Sequence, residues 1–310
     1  MSELSKIVAV VGPTGSGKTG LGIKIAYKFS GEVVCADSRA VYRGMNIGTA
    51  KVLGNKAGNG PYAGATYYHG VHHWLHDMVE PDESFTVADW KNAAVEVIGK
   101  ITGRHHLPVV VGGTGLYVQT LVDNLEPPPI APNASLRASL EAKPLSELVA
   151  MLKKYDPLAG EKIDLKNPRR IIRALEVFIL SGEPMTSLRR RGPKLYEVLQ
   201  IGLLMTNTDL YQKIDDRVGE MVKEGLFDEV RSLLKKYPPD LPAFSAIGYR
   251  EAVAYFQKKM SRVETIERIK LNTHAYARRQ LTWLRRDKRV SWVKEDDEAL
   301  RLVREFLRKE

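Results

Sequence analysis

Ile7-Val8-Ala9-Val10-Val11-Gly12-Pro13-Thr14-Gly15-Ser16-Gly17-Lys18-Thr19 is the stretch on which the fold turns. Ile7 to Val11 is a short apolar run rich in β-branched residues and reads as a buried strand. Gly12 to Thr19 matches G-x-x-x-x-G-K-[ST] in full, and a helical pattern follows to about Ser30, where Gly31 breaks it. In that setting the glycines let backbone N–H groups turn inward around phosphate oxygens, and the helix points its positive end at them. Lys18 adds a cation, and the Thr19 hydroxyl can hold Mg²⁺. The motif specifies phosphate; it does not specify ATP.

Outward from this loop the alternation repeats. Glu32 to Ala36 reads as a second strand ending at Asp37, and a glycine-rich loop runs from Gly44 to Gly70. Ala88 to Arg104 has helical periodicity, and Leu107 to Val111 is a third strand closed by Gly112-Gly113-Thr114-Gly115. Strands alternating with helices predict an α/β fold with a P-loop NTPase-like parallel sheet core and helices on both faces. The carboxyl ends of parallel strands share one edge, where ligands bind, so the P-loop, Asp37 and the Gly112 to Gly115 loop should converge there.

Asp37 has three readings: a turn or cap residue, a metal-holding aspartate after an apolar strand, or a general base. Gly112 to Gly115 is either a tight turn or a site of close backbone approach, with Thr114 free to hydrogen-bond. His69, His72, His73, His76 and Asp77 have spacings that would suit a metal on a helix face. The glycines around them oppose a helix, which favours loop packing or a contact at the substrate edge.

After Leu125 the texture changes. Pro127-Pro128-Pro129 and Pro132 mark a linker, and a mostly helical pattern follows. One helix is well signalled, with Asn167 as N-cap, Pro168 in the first turn and Gly182 as the stop. It carries Arg169, Arg170 and Arg173. A strand is expected at Val198 to Met205, then long amphipathic helices to the end.

The chain has 310 residues, 44% hydrophobic and 27% charged, enough to build a core. Its single cysteine, Cys35, excludes a disulfide framework and suits a reducing cytoplasm. Met1 to Lys6 shows no export signal, and no apolar run approaches the roughly 20 residues of a membrane helix. The net charge is +10. Residues 1 to 130 hold 11 basic and 11 acidic residues, so residues 131 to 310 carry the whole excess. That half offers a surface for a polyanion, or simply solvated helices. Arg278, Arg279, Arg285, Arg286, Lys288 and Arg289 surround Gln280-Leu281-Thr282-Trp283, and basic residues interleaved with an aromatic can hold phosphates and stack a base.

The segment Asp37-Ser38-Arg39-Ala40-Val41-Tyr42-Arg43-Gly44-Met45-Asn46-Ile47-Gly48-Thr49-Ala50-Lys51 resembles the signature of tRNA dimethylallyltransferases. The P-loop, His72-His73, Gly112 to Tyr117, Arg170 to Glu176, Ile247 to Glu251 and Ala277 to Trp283 match the same family in the same order. The resemblance implies transfer of a dimethylallyl group from dimethylallyl diphosphate to N6 of adenosine-37, beside the anticodon, in tRNAs reading codons that begin with U. It implies Asp37 as the general base, with Thr19, Lys18 and Arg217 at the diphosphate held by Gly12, Pro13, Thr14, Gly15, Ser16, Gly17, Lys18 and Thr19. It implies Mg²⁺ as the cofactor. The anticodon stem-loop is expected to meet Asp37, Ser38, Arg39, Ala40, Thr114, Arg170, Arg173, Gly248, Tyr249, Arg250, Arg278, Arg279 and Gln280. It also implies a helical insertion, placed at 126–199, in a catalytic core of 1–125 and 200–310, and a monomer.

There are departures from the family pattern. Ala40 stands where the family usually has Gln, Asn46 and Asn167 where it has Asp, and Arg169 where it has Gln. The loop between Lys51 and His72 is roughly ten residues longer than expected, a surface insertion of modest entropic cost. Two rival chemistries share the P-loop: prenylation of a free adenine nucleotide, and a kinase or RNA-stimulated NTPase. A non-catalytic RNA-binding protein would leave the P-loop unexplained.

Overall fold

The computed structural model describes residues 4–188 and 190–309. Met1 to Glu3, part of the N-terminal stretch read as lacking an export signal, lie outside them. The chain divides into two compact units, Met1–Val122 with Lys194–Glu310, and Asp123–Pro193.

The first unit is built on an eight-stranded sheet. In chain order its elements are β1 (Ser5–Val11), α1 (Lys18–Lys28), β2 (Gly31–Cys35), β3 (Asn55–Lys56), β4 (Thr66–Tyr68), β5 (Val71–Trp74), α2 (Val87–Gly103), β6 (Leu107–Gly112) and α3 (Gly115–Val122). The second unit supplies β7 (Leu125–Glu126), α4 (Ala134–Glu141), α5 (Leu145–Tyr155), α6 (Pro157–Lys162), α7 (Pro168–Ser181), α8 (Met185–Leu188) and β8 (Arg190–Arg191). The first unit resumes with β9 (Tyr196–Leu203), α9 (Asn207–Lys223), α10 (Leu226–Leu234), α11 (Tyr249–Phe256), α12 (Arg262–Leu284), β10 (Val290–Val293) and α13 (Asp296–Arg308).

The strand order is β10-β9-β1-β6-β2-β5-β4-β3. The six strands from β10 to β5 are parallel, and β4 and β3 continue the sheet antiparallel at one edge. The period-two rule explains why β1 is apolar throughout. Ile7, Ala9 and Val11 point into the core under α2 and α3, whereas Val8 and Val10 point into the core under α1 and α13. Both faces are therefore covered, as the alternation predicts. A third core joins α9 to α12, where Leu210, Ile214 and Val218 recur at helical spacing.

The long glycine-rich segment is more ordered than its composition suggests. It forms β3 and β4 and leads into β5, and Tyr62 stacks on His72 with ring centroids 3.8 Å apart. Arg104 lies over the other partner, 4.8 Å from the Tyr62 centroid, and pairs with buried Glu32 at 2.8 Å.

The second unit has its own core of Leu140, Leu148, Leu152, Ile171, Ile172 and Leu175. It is mainly helical, as expected, and runs from Asp123 to Pro193, while β9 starts at Tyr196 instead of Val198. Asn167 caps α7 and Gly182 ends it in the left-handed conformation, both as read from the sequence.

Candidate active site

The P-loop links β1 to α1 at the carboxyl edge of the sheet. Gly15 and Gly17 have φ of 81° and 84°, a region that residues with a Cβ avoid. Gly15 is also pressed against α9, where an added Cβ would lie 2.8 Å from Ile214. Lys18 folds back on the loop, donating to the Pro13 carbonyl at 3.3 Å. Burial lowers its ammonium to about 8, with the Arg217 charge adding to the effect and the Asp37 carboxylate opposing it. The Lys18 side chain keeps some solvent exposure, which suits a cation waiting for an anion. Thr19 is exposed in the first turn of α1.

Thr14 is held from two sides. Its N–H donates to Gln280 Oε1 on α12 at 2.9 Å, and its hydroxyl accepts from Arg217 on α9 at 3.2 Å. Burial lowers the Arg217 pKa, and the Asp37 and Glu220 carboxylates act against that. Arg217 and Lys18 thus present two cations to the same loop.

Asp37 follows β2 by two residues. Its Oδ1 accepts the Arg39 N–H at 2.8 Å, so the turn reading is correct as far as it goes. The turn fixes the carboxylate next to the cations of the P-loop, and its field reaches Lys18, Arg217 and Tyr276. Cys35 is buried and its thiol is pushed up to about 12, first by burial and then by Asp37, so it is no nucleophile at neutral pH.

The glycines of the third loop are explained by the protein itself. A Cβ at Gly112 would lie 2.1 Å from the Ala36 carbonyl oxygen, at Gly113 2.4 Å from Gln280 Nε2, and at Gly115 2.2 Å from the Trp283 ring. Thr114 joins the loops: its Oγ1 accepts the Ser38 N–H at 3.1 Å and donates to Ser38 Oγ at 3.4 Å. Tyr276 shares a side-chain hydrogen bond with Thr114, and burial, then the Asp37 charge, pushes its phenol up to about 12. It is therefore a neutral donor at physiological pH. Tyr276 escaped the sequence reading, although its place one helical turn before Gln280 puts both on one face of α12.

The residues expected against RNA fall into two groups. Arg250, Arg278 and Arg279 are exposed, as are Arg285, Arg286 and Lys288. Arg278 donates to the Tyr211 hydroxyl at 3.0 Å. Ser38 and Arg39 are half-buried, with Arg39 held by the Pro242 carbonyl at 3.1 Å and Ser245 Oγ at 3.0 Å.

The second group turns inward. Tyr249 is 0% exposed, so its side chain cannot be an RNA contact; that expectation is corrected. Its hydroxyl donates to Glu229 Oε1 at 2.5 Å, and Glu229 also accepts the N–H groups of Asn46 and Ile47 at 3.0 and 2.9 Å. Gly248 is buried beside it, with φ of 94°. Ala40 is 3% exposed and its methyl lies in the core. Gln280 is buried with its amide engaged at both ends, since Nε2 donates to the Gly113 carbonyl at 2.7 Å. Trp283 packs over Gly115 instead of offering a free stacking face. Arg289 stays exposed but pairs with Asp287 at 2.7 Å.

Within the second unit, Arg170 is exposed. Arg173 instead donates to Glu176 Oε2 at 2.6 Å and to the Ile130 carbonyl at 2.8 Å. Burial would raise the Glu176 carboxyl, but Arg137, the Asn133 N–H and Arg173 overcome it and hold it at about 2.

The histidine cluster is packing. His73 and His76 are buried, and burial lowers their imidazoles to about 3 and about 4. Asp77 is taken by Lys51 at 2.5 Å and Lys56 at 2.7 Å. Among the described residues no group of three or more His, Cys, Asp or Glu side chains could hold a metal ion. A magnesium ion bound through one hydroxyl, substrate phosphate oxygens and water needs no such group, so the exposed Thr19 hydroxyl fits it.

The family model described as "IPP transferase" matches residues 40–287. The tRNA dimethylallyltransferase of Thermomicrobium roseum is 43% identical over 94% of this chain and 87% of its own length. That of Anoxybacillus flavithermus is 39% identical over 97% and 95%. The crystal structure of the full-length tRNA isopentenylpyrophosphate transferase from Bacillus halodurans superposes with a TM-score of 0.69 at 37% identity, covering 98% of this chain and 95% of that one. A eukaryotic dimethylallyltransferase described as acting on tRNA gives a TM-score of 0.72 at 27% identity, covering 90% and 70%. With a P-loop, a carboxylate beside it and these relatives over nearly its whole length, the chain belongs to the IPP transferase family.

Proposed function

We propose that the protein transfers a dimethylallyl group from dimethylallyl diphosphate to N6 of adenosine-37 in the anticodon loop of tRNAs reading codons that begin with U. The observation that carries this reading is the position of Asp37, fixed by its turn where its charge acts on Lys18, Arg217 and Tyr276 alike. The names of the relatives support tRNA as the acceptor.

The chemistry follows from the charges. The allylic C–O bond breaks, and its electron pair leaves with the diphosphate. The P-loop N–H groups, Lys18 and Arg217 stabilise that charge as it develops. Mg²⁺ held at the Thr19 hydroxyl would supply further positive charge to the departing oxygens. The N6 lone pair forms the new C–N bond, and the N6 proton passes to Asp37. An exocyclic amine conjugated with the ring is a weak nucleophile, so a positioned base accelerates this step. Ser38, Thr114 and Tyr276 lie on the acceptor side, where the extruded adenine would enter. Exposed Arg250, Arg278 and Arg279 would hold the stem-loop phosphates. No helix of the described residues is long and apolar enough to cross a membrane. One buried free cysteine fits a cytoplasmic setting.

The test compares kcat/KM for an anticodon stem-loop, AMP and ATP with one dimethylallyl diphosphate preparation. Extruding a base costs a few kcal/mol, recovered from contacts that only the stem-loop offers. The stem-loop should therefore react far better, and replacing adenosine-37 should abolish transfer. Equal use of AMP would move the chain to the nucleotide-prenylating alternative, and ATP hydrolysis rivalling transfer would favour the NTPase.

A further inference from the structure

We propose that Gln280 is a positioning residue for the diphosphate loop and not a contact to RNA, an inference that rests on the donor site described above. Three observations carry it. Its carboxamide spans two loops, accepting the Thr14 N–H at 2.9 Å and donating to the Gly113 carbonyl at 2.7 Å. The residue is 8% exposed, so little of it is left for a macromolecular partner. The room for it is specific: any side chain at Gly113 would begin 2.4 Å from Gln280 Nε2.

The consequence is geometric. P-loop amides bind phosphate by pointing inward together, and a loop with two glycines in the left-handed region has little intrinsic preference for that arrangement. Thr14 is the residue that the rest of the protein grips. Gln280 holds its backbone from α12 while Arg217 holds its hydroxyl from α9. The Thr14 amide is thereby turned toward α12, and the loop closes on itself through the Ser16 N–H, which donates to the Pro13 carbonyl at 3.3 Å. The same carboxamide sets the spacing between the P-loop and the loop bearing Thr114. Because α12 also displays Arg278 and Arg279 on its exposed side, one helix joins the polyanion face to the donor loop.

The test uses two variants that disturb the bridge differently. Gln280→Met keeps the length of the side chain and removes both hydrogen bonds. Gln280→Asn keeps the carboxamide but is one methylene shorter, so it cannot bridge Thr14 and the Gly113 carbonyl together. Binding of inorganic diphosphate with Mg²⁺ is measured by calorimetry, alongside separate KM values for dimethylallyl diphosphate and stem-loop and the thermal midpoint. Both variants should bind diphosphate roughly tenfold more weakly, the scale of one or two lost hydrogen bonds. KM for the donor should rise while KM for the stem-loop holds. A rise in stem-loop KM with unchanged diphosphate affinity would restore Gln280 to the RNA interface and overturn the inference. Failure of the wild-type chain to bind diphosphate would instead sink the donor assignment, and the inference with it. Should Gln280→Met not fold, the Gln280→Asn result decides.

Discussion

The Tyr249 hydroxyl donates to Glu229 at 2.5 Å, and through Glu229 it holds the backbone of Asn46 and Ile47. A ring at the start of α11 thus fixes a loop that belongs to the first third of the chain. Gly48 has no side chain because the ring occupies that space: a Cβ there would lie 2.4 Å from it. Tyr249→Phe should cost about 1 kcal/mol of stability, since it leaves the half-buried Glu229 carboxylate short of one partner. Urea unfolding measures the loss. The affinity for tRNA, followed by filter binding, should not change; a large drop in affinity at full stability would contradict the inward role.

Asp37→Asn preserves the turn to the Arg39 N–H and removes the base. Single-turnover transfer should fall by roughly 10²- to 10⁴-fold, with tRNA and diphosphate affinities close to wild type. Turnover near the wild-type rate would remove Asp37 from proton transfer.

Lys18 makes donor binding depend on pH. Its folded value of about 8 lies below the ordinary lysine value of 10.5, because burial and Arg217 disfavour the charge. Below pH 8 the ammonium is present and binds diphosphate; as pH rises through 8 it deprotonates and affinity falls. The sign for stability is opposite. Between about 8 and 10.5 the unfolded chain binds a proton that the folded one has released, so this group makes the unliganded fold more stable as pH rises across that window. Calorimetric titration of diphosphate from pH 6.5 to 9.5 should show the loss of affinity near 8. Lys18→Met should bind weakly throughout and lack that break.

Binding to tRNA should weaken steeply with salt, because phosphate contacts release counterions. Charge removal at Arg278, Arg279 or Arg285 should each flatten the log–log slope by about one. Arg289→Ala should leave the slope alone, since that guanidinium is engaged with Asp287. A slope indifferent to the first three changes would make the cluster an ordinary solvated face.

The sequence by itself determined the parallel sheet, the P-loop and the convergence of Asp37 and Gly112 to Gly115 on one edge. Those conclusions rest on local signals: apolar β-branched runs, glycine spacing and helix caps act over a few residues and survive without knowing what lies opposite. The short strands β4 and β10 were not legible, because three or four residues become a strand only through a partner strand. The inward or outward direction of the polar residues was not legible either. Tyr249, Gln280, Trp283 and Arg173 sit in segments whose composition suits an RNA surface. Their partners are Glu229, Thr14 with Gly113, Gly115 and Glu176. Gln280 and Thr14 are 266 positions apart, and nothing in either segment encodes that they meet. A buried polar group must find a partner, but which one it finds is settled by packing, and packing exists only once the chain has folded.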